Sequence, residues 1–201
     1  MASPAFFARL PPITLRDRLA EFLGASSDGL VEFRYLDAVK LAGHSCPTVA
    51  GAWLMTAKAL ERLYPGETPE RGGIRVELRG AAGEGVVGVI AAVAGLVTGA
   101  AGEGGFKGIA GRFERRGLLL FGAPIAGELR FTRIDSGKSV EASFHADTVP
   151  AQGDARTRLS RALAPGASRE EREAFAAGWQ ERVRRILTEQ RDDPDLVRLS
   201  D

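Results

Sequence analysis

The stretch Gly43-His-Ser-Cys46-Pro-Thr-Val-Ala-Gly-Ala-Trp53-Leu-Met-Thr-Ala-Lys-Ala-Leu60-Glu-Arg-Leu-Tyr64 decides how this chain folds. Val49, Trp53, Ala57, Leu60 and Tyr64 recur every three or four residues, the spacing of one apolar helical face. Pro47 suits the first helical position, where a missing amide donor costs nothing, and Pro65-Gly66 closes the far end. Cys46 then stands at the N-cap.

The lead-in concentrates unusual chemistry: Cys46 is the only cysteine and His44 one of two histidines in 201 residues. In an extended segment, side chains two residues apart project from the same side, so the imidazole and the thiol are expected to converge on one ion. A thiol at a helix N-terminus feels the positive end of the helix dipole, which favours thiolate, the form that binds metal or attacks. The plainer reading of Cys46 is a small buried hydrophobe, and of His44 a structural residue.

Outward from this stretch, the apolar fraction of 44% and charged fraction of 26% are those of a globular protein with a sizeable core. With 27 basic and 26 acidic residues, nothing marks a general nucleic-acid binder. One cysteine excludes an intrachain disulfide and agrees with a reducing cytoplasm. Met1 to Leu10 shows no secretory signal pattern, and the longest apolar run, Val86 to Thr98, falls short of the ~20 residues that span a bilayer.

Residues 1–13, with Pro4, Pro11 and Pro12, read as a surface arm. Thr14 is expected to cap a helix through Leu23. Val31, Phe33 and Tyr35 alternate with polar residues as in a strand, while Tyr35 to Leu41 also reads as a short helix leading into Gly43; both stay open. Ile74, Val76 and Leu78 predict a strand. Gly85 to Thr98 is apolar on every side, as in a helix of a core or interface, and its small residues Gly88, Ala92, Gly95 and Gly99 share a face that another helix can approach.

The segment Gly102 to Gly108 superficially resembles a phosphate loop but lacks the Gly-Lys-Ser/Thr ending. Strands are expected at 106–114, 118–121, 128–133 and 139–144, with hairpin turns at Arg115-Arg116-Gly117 and Asp135 to Lys138. Beyond Pro150, helices are expected from Asp154 to Leu163 and after Ser168, the latter with one apolar stripe of Phe175, Trp179, Val183 and Ile186 or Leu187, and a frayed charged end from Arg191. The reading is an α+β domain over 14–150, a mixed or antiparallel sheet of five or six strands with a glycine-rich central helix, followed by a helical extension over 151–201.

Gly43-His44-Ser45-Cys46-Pro47 followed by an apolar helix, Gly85 to Thr98 with the glycine-rich 99–107, Gly111 to Gly117 and Phe131 to Val140 together resemble the family of the E subunit of formylmethanofuran dehydrogenase. That family includes stand-alone bacterial members of unsettled function. The resemblance covers residues 30–150 and implies an α+β fold, often dimeric, with a zinc-type metal site at His44 and Cys46. Two departures bear on it: Thr48 stands where members usually carry glycine, and Gly85 or a neighbour where they usually carry a further cysteine. The remaining histidine, His145, alone or with Asp147 two residues on, is the expected completion of the ligand set, with Glu84 competing for the vacated cysteine position; an exposed strand-end residue is the equally open reading of His145.

A zinc or other divalent transition-metal site with an open position for water or a small molecule is therefore expected. Two alternatives stand beside it: a thiol enzyme using Cys46 with His44 or His145 as base, and a non-enzymatic dimeric accessory module.

Overall fold

The structure, a computed structural model, describes residues 3–201. Its strands are β1 (Ile13–Arg16), β2 (Leu30–Phe33), β3 (Ile74–Leu78), β4 (Leu119–Phe121), β5 (Leu129–Arg133), β6 (Ser139–Phe144) and β7 (Val197–Ser200). The helices are α1 (Arg18–Phe22), α2 (Tyr35–Ala42), α3 (Pro47–Leu63), α4 (Val87–Thr98), α5 (Ala155–Leu163) and α6 (Arg169–Leu187). The expected α+β class holds.

The main sheet runs β4-β3-β5-β6-β7 and is antiparallel except for the parallel β3–β4 pair; β1 and β2 form a separate antiparallel ribbon. Helix α3 is buried on nearly every side, because it packs against α4, α6 and β6 together. Ala50, Gly51, Ala52 and Ala59 let these neighbours come close. At Gly51 an added Cβ would lie 2.3 Å from the Phe144 ring, so only glycine admits the end of β6 there.

The structure corrects several local expectations. Thr14 caps no helix: Ile13 and Leu15 are buried and Thr14 and Arg16 exposed, the alternation of a strand paired to β2. Asp17 caps the shorter α1 instead, accepting from the Leu19 and Ala20 amides. Of the two readings left open at Tyr35 the helical one holds: Tyr35 opens α2, where the Asp37 carboxylate accepts from the Arg34 amide. The N-terminal arm is anchored: Phe6, Phe7 and Leu10 are buried, and the Phe7 ring meets Tyr35 edge-on.

Residues 106–114 form no regular strand, and Arg115-Arg116-Gly117 makes no hairpin, because the following β4 lies parallel to β3. The small-residue strip of α4 faces outward at Gly88 and Ala92; its packed face is Ile90, Ala91, Val93, Ala94 and Val97. The final segment is also ordered into the sheet: Val197–Ser200 pairs with β6, and Leu196 is fully buried. The C-terminal region is thus two helices plus an edge strand of the main sheet.

Among the described residues, no helix is long and apolar enough to cross a membrane.

Candidate functional site around Cys46

Gly43, at φ +76°, ends α2 in the left-handed conformation that glycine adopts without strain, and turns the chain toward α3. His44 follows in a bend with an exposed ring, its Nδ1 2.9 Å from the Ala42 carbonyl oxygen. A carbonyl only accepts, so Nδ1 is the donor in this contact and Nε2 is the ring nitrogen it leaves uncommitted.

Cys46 is the N-cap of α3 and Pro47 its first residue, as the sequence predicts. The Val49 amide donates to Sγ at 3.4 Å, and the residue is only 8% exposed. His44 is exposed and Cys46 tucked against the amides of its own helix, so the two side chains do not present one uniform open face.

Between them, Ser45 is held from both sides. Its Oγ lies 3.0 Å from the Tyr35 hydroxyl, and its carbonyl accepts from Trp179 Nε1 and Gln180 Nε2, each at 3.0 Å. Burial, and beyond it the nearby Cys46, pushes the Tyr35 hydroxyl well above its usual pKa despite the Ser45 bond, so this phenol stays neutral. Tyr35 also packs edge-on against Trp53 of α3.

His145 follows β6 and caps the short 3-10 turn Ala146–Thr148, its amide donating to the Leu196 carbonyl, and Asp147 is exposed on that turn. Arg182 grips this turn, donating to the carbonyls of Val149 and Ala146 at 2.7 Å each. Trp179 and Arg182 are three residues apart on α6 and so share a face. One helix face therefore touches both the His44–Cys46 loop and the His145–Asp147 turn.

Contact through a common helix is not a shared metal shell. Among the described residues no three His, Cys, Asp or Glu side chains are grouped to hold an ion. His44, Cys46, His145 and Asp147 are thus not gathered into one set, and Glu84 is engaged locally, accepting from the Ala81 amide. The donors His44 and Cys46 match a borderline-soft metal in kind; a complete three-ligand protein shell is not met.

A cavity of about 220 Å³ opens beside the loop between α5 and α6, lined by Leu159, Phe175, Trp179, Arg156 and Arg182 among others. Its lining combines apolar side chains with the arginines Arg156, Arg158 and Arg182. Trp179 belongs both to this cavity and to the Ser45 contact. Tyr35, Trp179 and Gln180 are site residues that sequence reasoning missed as such: Trp179 shows only as one member of an apolar stripe, and nothing local flags Gln180.

No family model matches the chain, and no curated protein matches it.

Proposed function

We propose that this protein is a stand-alone relative of the E subunit of formylmethanofuran dehydrogenase that binds zinc or a similar divalent transition metal through His44 and Cys46. The remaining coordination positions are open to water or a small molecule. The observation that carries this reading is the contact between His44 Nδ1 and the Ala42 carbonyl. Metal-binding histidines characteristically use one ring nitrogen on such an acceptor, which orients the ring and leaves the other for the metal. Cys46 adds a sulfur donor at the helix N-terminus, fixed in place by the Val49 amide. A metal held this way supplies Lewis acidity to a bound water or carbonyl.

The test is elemental analysis of protein purified without added metal, followed by replacement with Co(II). One metal per chain, a sulfur-to-cobalt charge-transfer band, and loss of both in the double variant His44→Ala/Cys46→Ser are expected. Metal-free protein that takes up no cobalt would overturn the reading.

A second reading, Cys46 as a metal-free reactive thiol, draws on the same amide-to-sulfur contact. Fast alkylation at neutral pH in metal-free protein distinguishes it from an inert cap. Dimerisation is part of the first proposal: the exposed Gly88 and Ala92 leave α4 a flat outer strip for a second copy, and sedimentation equilibrium over a concentration series tests it.

A further inference from the structure

A second cluster lies away from Cys46, where α1, the turn at 70–72 and the loop at 112–115 enclose a cleft of about 290 Å³. Arg18, Arg71, Arg112 and Arg115 line it, with Glu70 and Glu114 as the acidic members. Arg71 Nη1 and Arg115 Nη2 each lie 2.8 Å from the single carboxylate of Asp17. One buried negative charge thus serves two guanidinium groups. The other acids are engaged, Glu70 with Arg18 at 3.0 Å and Glu114 with Arg116. Arg112 has no carboxylate partner among the described residues and lies over the Phe113 ring. The cleft with its immediate partners holds five arginines against three acids.

Arg115 makes this excess costly. It is 7% exposed, and its Nη1 has no acceptor among the described residues. Room for the guanidinium comes from Gly72 and Gly99, where an added Cβ would stand 2.1 Å and 2.5 Å from Nη1. A buried donor without an acceptor and a surplus buried charge both destabilise a protein unless a ligand compensates them. Burial, with the repulsion from Arg71 behind it, pushes the Arg115 pKa down even though Asp17 opposes it.

We propose that this cleft binds the phosphoryl group of a small molecule. Guanidinium groups match phosphate oxygens in pairs, and an anion here neutralises the charge that Asp17 leaves over. Arg112, exposed and unpaired, supplies the accessible contact, while Arg71 and Arg115 set the field behind it.

Calorimetric titration of the full chain with inorganic phosphate and pyrophosphate, against sodium chloride at matched ionic strength, tests the site. At least one of the two phosphates is expected to bind saturably. Arg112→Gln, on the surface and outside the buried triad, should weaken it by about tenfold, and Glu70→Gln should tighten it severalfold, with unchanged circular dichroism in both. Absence of saturable binding, equal affinity in Arg112→Gln, or preference for citrate over both phosphates would overturn the proposal.

Discussion

The indole Nε1 of Trp179 donates to the Ser45 carbonyl across 3.0 Å, joining α6 to the loop that carries the only cysteine. Gln180 donates to the same oxygen, so the C-terminal helix braces the mouth of α3.

Because two donors share that carbonyl, removing one is mild. Trp179→Phe is expected to cost about 1 kcal/mol, and Trp179→Phe with Gln180→Ala about 2 to 3 kcal/mol, more than the sum of the single changes, since only the pair leaves the acceptor unsatisfied. Urea unfolding measures this. The double variant should also react faster with an alkylating reagent at Cys46, whose loop has lost its brace.

Cys46 has a structural role as a cap that is separable from any metal. Serine accepts the Val49 amide as well or better, so Cys46→Ser should fold within about 1 kcal/mol of the parent, while Cys46→Ala should lose about 1 kcal/mol. Both should abolish the cobalt charge-transfer band. A band that survives in folded Cys46→Ser would exclude the sulfur as ligand.

Gly51 faces the Phe144 ring with no room for a methyl group. Gly51→Ala should cost about 1 to 3 kcal/mol by overpacking, and adding Phe144→Leu should recover part of that. Thermal melts of the two variants check the coupling between α3 and the end of β6.

Asp17 links acid stability to the buried arginines. Burial alone pushes its carboxyl up, but the Arg71 hydrogen bond, the Ala20 amide and the charges of Arg115 and Arg71 outweigh it, and its pKa falls below the ordinary 3.8. The stabilisation is therefore fully present above about pH 4 and is lost as pH falls through the folded value. Asp17→Asn should cost about 3 kcal/mol at neutral pH, because two cations lose their partner, and should flatten part of the acid limb of the stability profile.

Locally encoded features were legible in the sequence. Apolar spacing defines α3, Pro47 and Cys46 mark its start, alternation marks β3, and Ser168 marks the start of α6. The position and type of His44 and Cys46 were equally plain. Their surroundings were not, because Trp179 and Gln180 lie 134 and 135 residues from Ser45 along the chain, and apolar periodicity states that a face is buried without naming what covers it.

The same distinction separates what the chain wrote locally from what packing chose. The residues 13–16 became a strand because β2 lies alongside, and the charged last segment became one because β6 offered a free edge. The α4 strip of small residues turned outward because its larger side chains filled the space against α3. Caps, turns and periodicities depend on neighbours within a few residues, so the sequence alone determined them. Edge pairing, the sharing of Asp17 by two arginines, and the placing of His145 and Asp147 outside any grouped ligand set depend on distant segments competing for the same space, and only the tertiary structure decided those.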